Sequence, residues 1–463
     1  MKILLIDPPF HRFMGFYRYF FPYGLSSIAA ALDKSRHEIL IYDVDHGEKP
    51  VAMTSSDLLR VFPRYIEGIR DTGHLIWREV EQVMASFRPD LVGITFMSTK
   101  MGAVAGIVDI SKRLFPQVPV ILGGDHPTVL YEATLRKLKA DAAVIGEGER
   151  TFAEIVRRIE SGRTDFEGIP GLAVRKPDGE IALSPPRPLI EDIDTLAFPD
   201  RESLHKLDTY RPDDLSMIMT SRGCPFHCAF CSSIWERRVR NRSIPHIMRE
   251  ITYLVERFGT RNLYFKDDTF TVDRRRVREF CRAIKDSRLD VRWECLTRIE
   301  LVDPEILEEM REAGMIYLKI GIETGSPRIL KDTGKNLTLE QIRRGARILR
   351  EAGQKWSAFF MIGYPDETEE DIRMSRDLIG EIRPTYVSMS TLVPYPGCRY
   401  YYDLEKDGLI GEDSDWNLYD PFSLETHFTR RIGRERFREL VIDTMAFIDD
   451  YNAAASSAPT ASG

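Results

Sequence analysis

The sequence contains no apolar run approaching the roughly 18 residues that a membrane-spanning helix needs. The apolar stretch near the amino terminus, Lys2–Ile6, is too short for the core of a signal peptide and predicts a buried strand. A formal charge of −7 opposes binding to phosphate backbones and argues against a nucleic-acid partner. From these absences we expect a protein of the reducing cytoplasm without a membrane span.

Cysteine is scarce, with six residues in a chain of 463. Three of them, Cys281, Cys295 and Cys398, are scattered without a secretory signature, which argues against disulfides and favours ordinary buried thiols. The other three stand within eight residues, directly after Ser221-Arg222-Gly223. That segment reads Cys224-Pro225-Phe226-His227-Cys228-Ala229-Phe230-Cys231.

The spacing C-x3-C-x2-C offers three thiolates to an iron–sulfur cluster and leaves one iron without a protein ligand. An open iron is a place where a small molecule binds and reacts. The alternative is a structural zinc loop, but such sites want four nitrogen or sulfur ligands in paired knuckles. No second C-x2-C occurs, and His227 is adjacent to Cys228, which makes joint tetrahedral ligation awkward.

Two regions of the chain alternate apolar strands with amphipathic helices, the pattern of parallel α/β sheets. The first region has five predicted strands: Lys2–Ile6, Glu38–Tyr42, Leu91–Thr95, Val118–Leu122 and Ala142–Ile145. The second region has six: Ser216–Thr220, Leu263–Lys266, Val291–Cys295, Ile316–Gly321, Ala358–Ile362 and Val387–Leu392. Between them lies a proline-rich segment with a predicted hairpin at Pro177-Asp178-Gly179.

Polar and glycine-rich residues follow the strands of the first region, at the edge where a doubly wound sheet binds its ligand. Glycines let a backbone approach a bulky ligand, and the helix N-termini that follow can hold anions. The candidate ligand-binding residues at this edge are Asp7, Pro8, Ser98, Gly123, Gly124, His126, Thr128, Gly146, Glu147 and Gly148. No G-x-G-x-x-G follows a strand, which argues against a nicotinamide or flavin ligand.

This first region resembles the cobalamin-binding domain that precedes many radical S-adenosylmethionine (SAM) modules. The resemblance covers residues 1 to about 150 and rests on four motifs. They are Asp7-Pro8-Pro9, Pro22-Tyr23-Gly24-Leu25, Gly123-Gly124-x-His126-x-Thr128 and Gly146-Glu147-Gly148-Glu149.

One family motif is missing: the D-x-H-x-x-G of the methionine-synthase type, whose histidine ligates cobalt. Asp43-Val44-Asp45-His46-Gly47 has a similar composition but the wrong spacing. The resemblance therefore implies cobalamin without a protein histidine on cobalt. For His126, ligation of cobalt, contact with the corrin edge and simple packing all stay open. The alternative for the whole domain is a degenerate fold that holds no cofactor.

The second region, with the cysteines after its first strand, resembles the partial (β/α)6 barrel of the radical SAM family. The resemblance implies a [4Fe–4S] cluster that is bound by Cys224, Cys228 and Cys231 and holds SAM. Active sites of parallel barrels lie at the carboxyl ends of the strands. By resemblance, acidic residues after the second strand accept from the amino group of SAM, and one of the pair can instead cap a turn. The residues assigned to SAM in this way are Asp267, Asp268, Arg298, Glu323 and Gly363. A buried ion pair between Arg298 and Glu323 is the structural alternative.

The expected fold is therefore α/β, with a doubly wound, Rossmann-like cobalamin domain followed by a partial radical SAM barrel. The predicted boundaries are 1–161 for the first domain, 162–214 for the connector, 215–399 for the barrel and 400–463 for a C-terminal extension. The extension is rich in aromatic residues, and we expect its tail from Ala453 to be disordered.

The resemblance implies a methyltransferase that forms a 5′-deoxyadenosyl radical from SAM and donates the methyl group of methylcobalamin to an unactivated carbon. The expected partners are a small molecule (natural-product, lipid or tetrapyrrole-like) and an electron donor such as flavodoxin or ferredoxin. A cyclase or rearrangement enzyme without net methylation and a non-catalytic cobalamin sensor are the alternatives. No catalytic residue, acid or base, is assigned from the sequence.

Overall fold

A computed structural model describes residues 1–17, 20–47, 53–411 and 413–457. The chain forms two compact units. The first comprises Met1–Val51, Val61–Leu215 and Gly411–Tyr419, and the second comprises Ala52–Arg60, Ser216–Ile410 and Asp420–Gly463. The expected connector, 162–214, thus belongs to the first unit, and the expected C-terminal extension is divided between both.

The first unit is built on a seven-stranded sheet in the order β2-β1-β3-β4-β5-β6-β7. Its strands are β1 Lys2–Asp7, β2 Glu38–Asp43, β3 Leu91–Thr95, β4 Val120–Gly123, β5 Ala142–Val144, β6 Leu172–Arg175 and β7 Ile181–Leu183. Its helices are α1 Tyr23–Ala30, α2 Ser55–Arg70 (whose residues up to Arg60 group with the second unit), α3 Leu75–Phe87, α4 Met101–Leu114, α5 Asp125–Lys137 and α6 Glu149–Glu160.

The sheet forms because its central strands are continuous apolar runs, which require cover on both faces. In β1 and β3 every residue from Ile3 to Ile6 and from Leu91 to Ile94 is buried. The strands β1 to β5 are parallel, as the doubly wound prediction requires. The predicted hairpin of the proline-rich segment adds β6 and β7 as antiparallel strands, so the first sheet is larger than its five predicted strands.

The second unit contains a six-stranded parallel sheet in the order β15-β14-β13-β12-β11-β8 and a two-stranded ribbon of β9 and β10. Its strands are β8 Met217–Ile218, β9 Ser221–Arg222, β10 Arg240–Asn241, β11 Asn262–Phe265, β12 Arg292–Arg298, β13 Met315–Glu323, β14 Trp356–Ile362 and β15 Tyr386–Thr391. Its helices are α7 Ile244–Phe258, α8 Arg274–Ser287, α9 Pro304–Glu312, α10 Pro327–Asp332, α11 Leu339–Glu351, α12 Glu369–Ile382, α13 Arg399–Lys406 and α14 Arg434–Ser457.

The six parallel strands neighbour one another in chain order, the arrangement of a partial barrel. Crossovers between parallel strands are almost always right-handed, and sequential crossovers of one hand place their connecting helices on one face of a sheet. A single apolar core joins strands and helices, with Trp293, Phe265 and Phe280 packed edge to face inside it. The predicted fold class, a doubly wound sheet followed by a partial barrel, is confirmed.

One sequence expectation for the end of an element needs correction. The tail expected to be disordered from Ala453 is helical as far as Ser457, and 458–463 lie outside the described residues. None of the helices in the described ranges combines the length and apolarity that crossing a bilayer demands.

Candidate functional site

The three clustered cysteines lie on a loop that is closed at its base by the ribbon of β9 and β10. Strand β9 ends at Arg222 and β10 begins at Arg240, so 223–239 form the loop. Gly223 turns the chain out of β9 with a φ of +95°, which residues with a side chain rarely adopt. A Cβ on Gly223 would lie 2.1 Å from the carbonyl oxygen of Arg238. Only glycine therefore fits immediately before the first cysteine.

All three loop cysteines are free, partly buried thiols. The Sγ of Cys224 lies 3.6 Å from Oγ1 of Thr269, just beyond the carboxyl end of β11. The Sγ of Cys228 lies 3.6 Å from Nη1 of Arg298, the last residue of β12. The loop is thus placed over the carboxyl ends of the barrel strands, where parallel barrels carry their active sites.

The thiols are held in a cramped, partly desolvated environment. Burial raises the pKa of the Cys228 thiol, and the nearby Lys335 and Arg298 offset only part of that effect. Burial also raises the pKa of Cys231, against the opposing charge of Arg237. Because the thiolate is the metal-binding form, cation binding must displace these protons. The donor set of three neighbouring soft sulfurs fits an iron–sulfur cluster.

The zinc alternative gains no support from the geometry. Across 1–17, 20–47, 53–411 and 413–457, no three His, Cys, Asp or Glu side chains converge as ligands of one metal ion. The side chain of His227, the only histidine in the loop, is exposed. A cubane cluster does not need its cysteines to meet on one metal ion, because each of them ligates a different iron.

The two aspartates after β11 have different surroundings. Asp267 is fully buried, and its Oδ1 accepts from the backbone N–H groups of Thr220 (2.6 Å) and Ser221 (3.1 Å). Its other oxygen accepts from the Thr220 hydroxyl. Asp267 therefore fixes the chain just before the cysteine loop, while its contact with SAM stays a prediction. Asp268 is exposed and close enough to Cys231 to raise the pKa of that thiol, so it is the member of the pair that faces the site.

The residues ending β12 and β13 do not form the Arg298–Glu323 ion pair that was the structural alternative to SAM binding. Glu323 binds Lys335 instead, with Nζ 2.5 Å from Oε1, and Lys335 also donates to the carbonyl oxygen of Gly321 at 2.7 Å. Glu323 has a φ of +75°, strained for a residue with a side chain, at an irregularity in the pairing of β13 with β14. A carboxylate accepts several hydrogen bonds, so Glu323 still has acceptor capacity for a ligand hydroxyl.

The turn after β14 is built around a buried carboxylate. The backbone N–H of Gly363 (2.5 Å) and that of Tyr364 (3.3 Å) both donate to Oε2 of Glu367. Gly363 has a φ of +92°. Burial raises the pKa of Glu367 to about 8, although both N–H donors act against it. The turn is therefore rigid, and it lies at the carboxyl end of the strand next to Glu323.

In the first unit, the residues after β1 and β3 are tied together by Lys100. Its Nζ donates to Asp7 at 2.6 Å and to the carbonyl oxygen of Pro8 at 2.7 Å, and lies 3.5 Å from fully buried Asp45. Although burial raises the pKa of Asp45, the charges of Lys100 and His11 outweigh it and hold the pKa well below its usual range. Asp7 and Pro8 thus shape the sheet edge through this cation.

His126 is enclosed by protein near the start of α5. Its Nδ1 lies 2.8 Å from Oγ of Ser98, and its ring packs against Phe96 and edge-on against Trp416. Burial lowers the pKa of His126 to about 4, so the ring is neutral. Its Nε2 is buried without a hydrogen-bond partner. Of the three roles left open, this arrangement favours packing over ligation of cobalt.

The glycines after β4 and β5 border open space. A Cβ on Gly123 or on Gly146 would meet nothing within 4 Å. Thr128 joins these two loops, since its hydroxyl donates to the carbonyl oxygen of Gly124 (2.8 Å) and accepts from the N–H of Gly146 (3.1 Å). A side-chain-free ledge of this kind fits the approach of a broad planar ligand such as a corrin.

The other two predicted residues of this edge have structural roles. Glu147 is buried and accepts from the backbone N–H of Ile190 at 2.6 Å. Gly148 lets α1 approach, because a Cβ there would lie 2.7 Å from Cδ1 of Ile28. Glu147 and Gly148 therefore hold the loop and its packing against α1, and their contact with a ligand stays a prediction.

A cleft of 940 Å³ lies elsewhere on the first unit, beside edge strand β2 and helix α3. Its lining includes Arg12, Tyr42 and Glu79 and none of the predicted ligand-binding residues. It is therefore separate from the ledge of Gly123 and Gly146.

Sequence reasoning missed Lys100 and Lys335. Lys100 carried a weak signal, since it directly follows the Ser98-Thr99 pair after a predicted strand. Lys335 carried none, because it is twelve residues beyond Glu323 in a loop between two helices.

Comparison with known families divides the chain as the two sheets do. The B12 binding domain family matches residues 16–156, and the Radical SAM superfamily matches residues 218–379. The first range includes the ledge of Gly123 and Gly146, and the second includes the cysteine loop and the ends of strands β11 to β14.

Whole-length comparisons agree with this division. An uncharacterized methyltransferase of Pyrococcus horikoshii is 33% identical over 375 residues, which cover 79% of this chain and 80% of that protein. The anaerobic magnesium-protoporphyrin IX monomethyl ester cyclase of Rubrivivax gelatinosus is 28% identical over 360 residues, 76% of this chain and 64% of the cyclase. The structure of the radical SAM methyltransferase TsrM from Kitasatospora setae, with cobalamin and a [4Fe–4S] cluster bound, shares the fold: its TM-score is 0.72 at 20% identity, over 97% of this chain and 89% of that chain.

Proposed function

Because this chain belongs to the cobalamin-dependent radical SAM enzymes of the methyltransferase type, we propose that it methylates an unactivated carbon of a small-molecule substrate. The observation that carries the proposal is the cysteine loop, with three free thiols at the carboxyl ends of a parallel barrel. The same chain contains a B12-type sheet with an open glycine ledge.

The cofactors are a [4Fe–4S] cluster, SAM and cobalamin. When bound, they supply reductive formation of a 5′-deoxyadenosyl radical from SAM and a methyl group carried on cobalt. The protein's part is to bind, orient and exclude water from these groups. No residue need act as a base in the abstraction of hydrogen.

In the second unit, Cys224, Cys228 and Cys231 would hold three irons and leave the fourth open to SAM. Asp268 would supply a carboxylate for the ammonium group of SAM, and Glu323, held by Lys335, would accept from its ribose. The backbone of the Gly363 turn, which Glu367 makes rigid, would border the adenine.

In the first unit, the ledge of Gly123 and Gly146 would receive the corrin, with Thr128 fixing the distance between the two loops. His126 is assigned to packing and not to cobalt, because its buried ring lies against Phe96 and Trp416 and its Nδ1 is held by Ser98. This assignment agrees with the lack of a D-x-H-x-x-G motif.

The test is anaerobic reconstitution with iron, sulfide and hydroxocobalamin, followed by mass spectrometry of candidate substrates after addition of SAM and a reductant such as flavodoxin. Methylation adds one CH2 unit per turnover to a natural-product, lipid or tetrapyrrole-like substrate, and 5′-deoxyadenosine accumulates. A preparation that shows neither cluster nor cobalamin absorbance would refute the proposal.

A second candidate, oxidative cyclisation, is favoured by the similarity to the magnesium-protoporphyrin cyclase. The same assay separates the two, because cyclisation consumes SAM without adding carbon to the product. Iron and SAM binding without any 5′-deoxyadenosine would instead indicate a non-catalytic cobalamin sensor.

A further inference from the structure

Arg298 is buried at the carboxyl end of β12, with 6% of its surface exposed. Each of its three guanidinium nitrogens faces an acceptor inside the second unit. Nε donates to the carboxylate of Glu300, Nη2 donates to the carbonyl oxygen of Lys335, and Nη1 lies 3.6 Å from Sγ of Cys228. The guanidinium is therefore committed to protein acceptors, which leaves it poorly placed to clamp the carboxylate of SAM.

The plane of the guanidinium is also fixed from the cysteine loop. Its carbon Cζ lies 3.8 Å from the ring centroid of Phe226, which stands between the first two loop cysteines. A desolvated guanidinium over an aromatic face is stabilised by the quadrupole of the ring, whose face is electron-rich. The stacking and the hydrogen bonds together hold Nη1 against the sulfur.

The contact can run in only one direction. A guanidinium is always protonated and has no acceptor, so Nη1–H donates to the sulfur of Cys228. The corresponding contact of Cys224 is different, because the single hydroxyl hydrogen of Thr269 is already donated to the carbonyl oxygen of Asp268 at 2.7 Å. Of these two contacts, the one from Arg298 is the donor that persists when the cysteine is a thiolate.

We propose that Arg298 serves the cluster and not SAM, as a positioning residue whose N–H···S hydrogen bond to Cys228 raises the reduction potential of the cluster. Hydrogen bonds to cluster sulfurs tune potential because they stabilise the more negative, reduced state. A charged donor strengthens the effect. The inference rests on the proposed function in one respect, that the loop binds an iron–sulfur cluster.

The test is an EPR-monitored redox titration of the reconstituted full-length protein, without SAM or substrate. R298Q, which loses the charge and the fork, is expected to shift the midpoint potential to more negative values at unchanged iron content. R298K keeps the charge but lacks the forked guanidinium that spans the acceptors. Its midpoint potential should therefore lie between those of the wild type and R298Q. R275Q is the matched control: this arginine is on α8 with an 89% exposed side chain, and its loss should leave the potential unchanged.

The opposite assignment gives the opposite result. If Arg298 clamps the SAM carboxylate, R298Q and R298K keep the wild-type potential while SAM binding weakens tenfold or more, and the inference is overturned. Should R298Q assemble no cluster, R298K decides, since it retains the positive charge beside the loop. A wild-type protein that forms no cluster refutes the proposed function itself, whereas a wild-type cluster with an unshifted variant refutes only the role of Arg298.

Discussion

Replacing Glu367 by glutamine is expected to stabilise the protein at neutral and alkaline pH. Glu367 is fully buried, and only one of its oxygens has a hydrogen-bond partner among the described residues. Burial raises its pKa from the ordinary 4.5 to about 8. Between these two values the folded chain therefore keeps a proton that the unfolded chain has already released.

The sign of the pH dependence follows from this difference in bound protons. Stability from this group is fully present below pH 4.5 and is lost as the pH rises through about 8. Within that window one such group lowers the free energy of unfolding by about 1.4 kcal/mol per pH unit. Near pH 8 the accumulated loss is about 4 kcal/mol, a large part of the stability of an ordinary domain. E367Q keeps an oxygen acceptor for the N–H groups of Gly363 and Tyr364 but has no proton to lose.

The assay is urea unfolding of the cofactor-free full chain at several pH values between 5 and 8. Wild type and E367Q should have similar stability at pH 5 and diverge toward pH 8, with the variant more stable. E370Q is the matched control, because Glu370 lies three residues further along the chain, in the first turn of α12, exposed and paired with Arg373. Parallel pH profiles for wild type and E367Q would show that Glu367 is ionised in the folded state, and the reasoning would fail.

Three further outcomes follow from the described contacts. Alanine at any of the three loop cysteines should abolish the cluster absorbance and the formation of 5′-deoxyadenosine, whereas C281A, in the apolar core, should retain its iron. G223A should lose iron and destabilise the loop. G259A is the control, with roughly 1 kcal/mol of strain from its positive φ alone. G223A should cost more than this, because of the two positions only 223 would also clash with a carbonyl oxygen. T128V should weaken cobalamin binding about tenfold, because it loses about 1.4 kcal/mol of hydrogen bonds between the two loops. Absorbance titration measures the affinity, and an unchanged iron content is the control. An unchanged affinity would contradict the role assigned to the glycine ledge.

The strands of both sheets were predictable because the signal for a buried parallel strand is local. Runs such as Lys2–Ile6 and Ala358–Ile362 are apolar over the length of a strand and are bounded by glycine, proline or charge. The hairpin of β6 and β7 was also predicted locally, but its addition to the first sheet was not. Which edge a hairpin joins depends on pairing with a distant strand, here β5.

The sequence predicted which residue types of the site lie at strand ends. It did not predict which of these side chains bind one another. Asp267 and Asp268 are identical neighbours in sequence, and only the fold shows that one is buried against Thr220 while the other is exposed. Glu323 was predicted to contact SAM, with an ion pair to Arg298 as the alternative, yet it binds Lys335 from a loop that no periodicity marks. Pairings of this kind arise from side chains that meet across loops, and spacing along the chain does not encode them.

The segment Gly411–Tyr419 belongs to the first unit although the residues on both sides of it belong to the second. Asn417 accepts from the N–H of Gly102 at 2.6 Å, and the carbonyl oxygen of Tyr419 accepts from the Thr99 hydroxyl at 2.7 Å. A gene cut after codon 215 would therefore encode a B12-type fragment that lacks these partners and the ring of Trp416 against His126. The first 215 residues therefore cannot be exchanged alone for the corresponding part of a relative. Such a chimera would also need the relative's equivalent of Gly411–Tyr419.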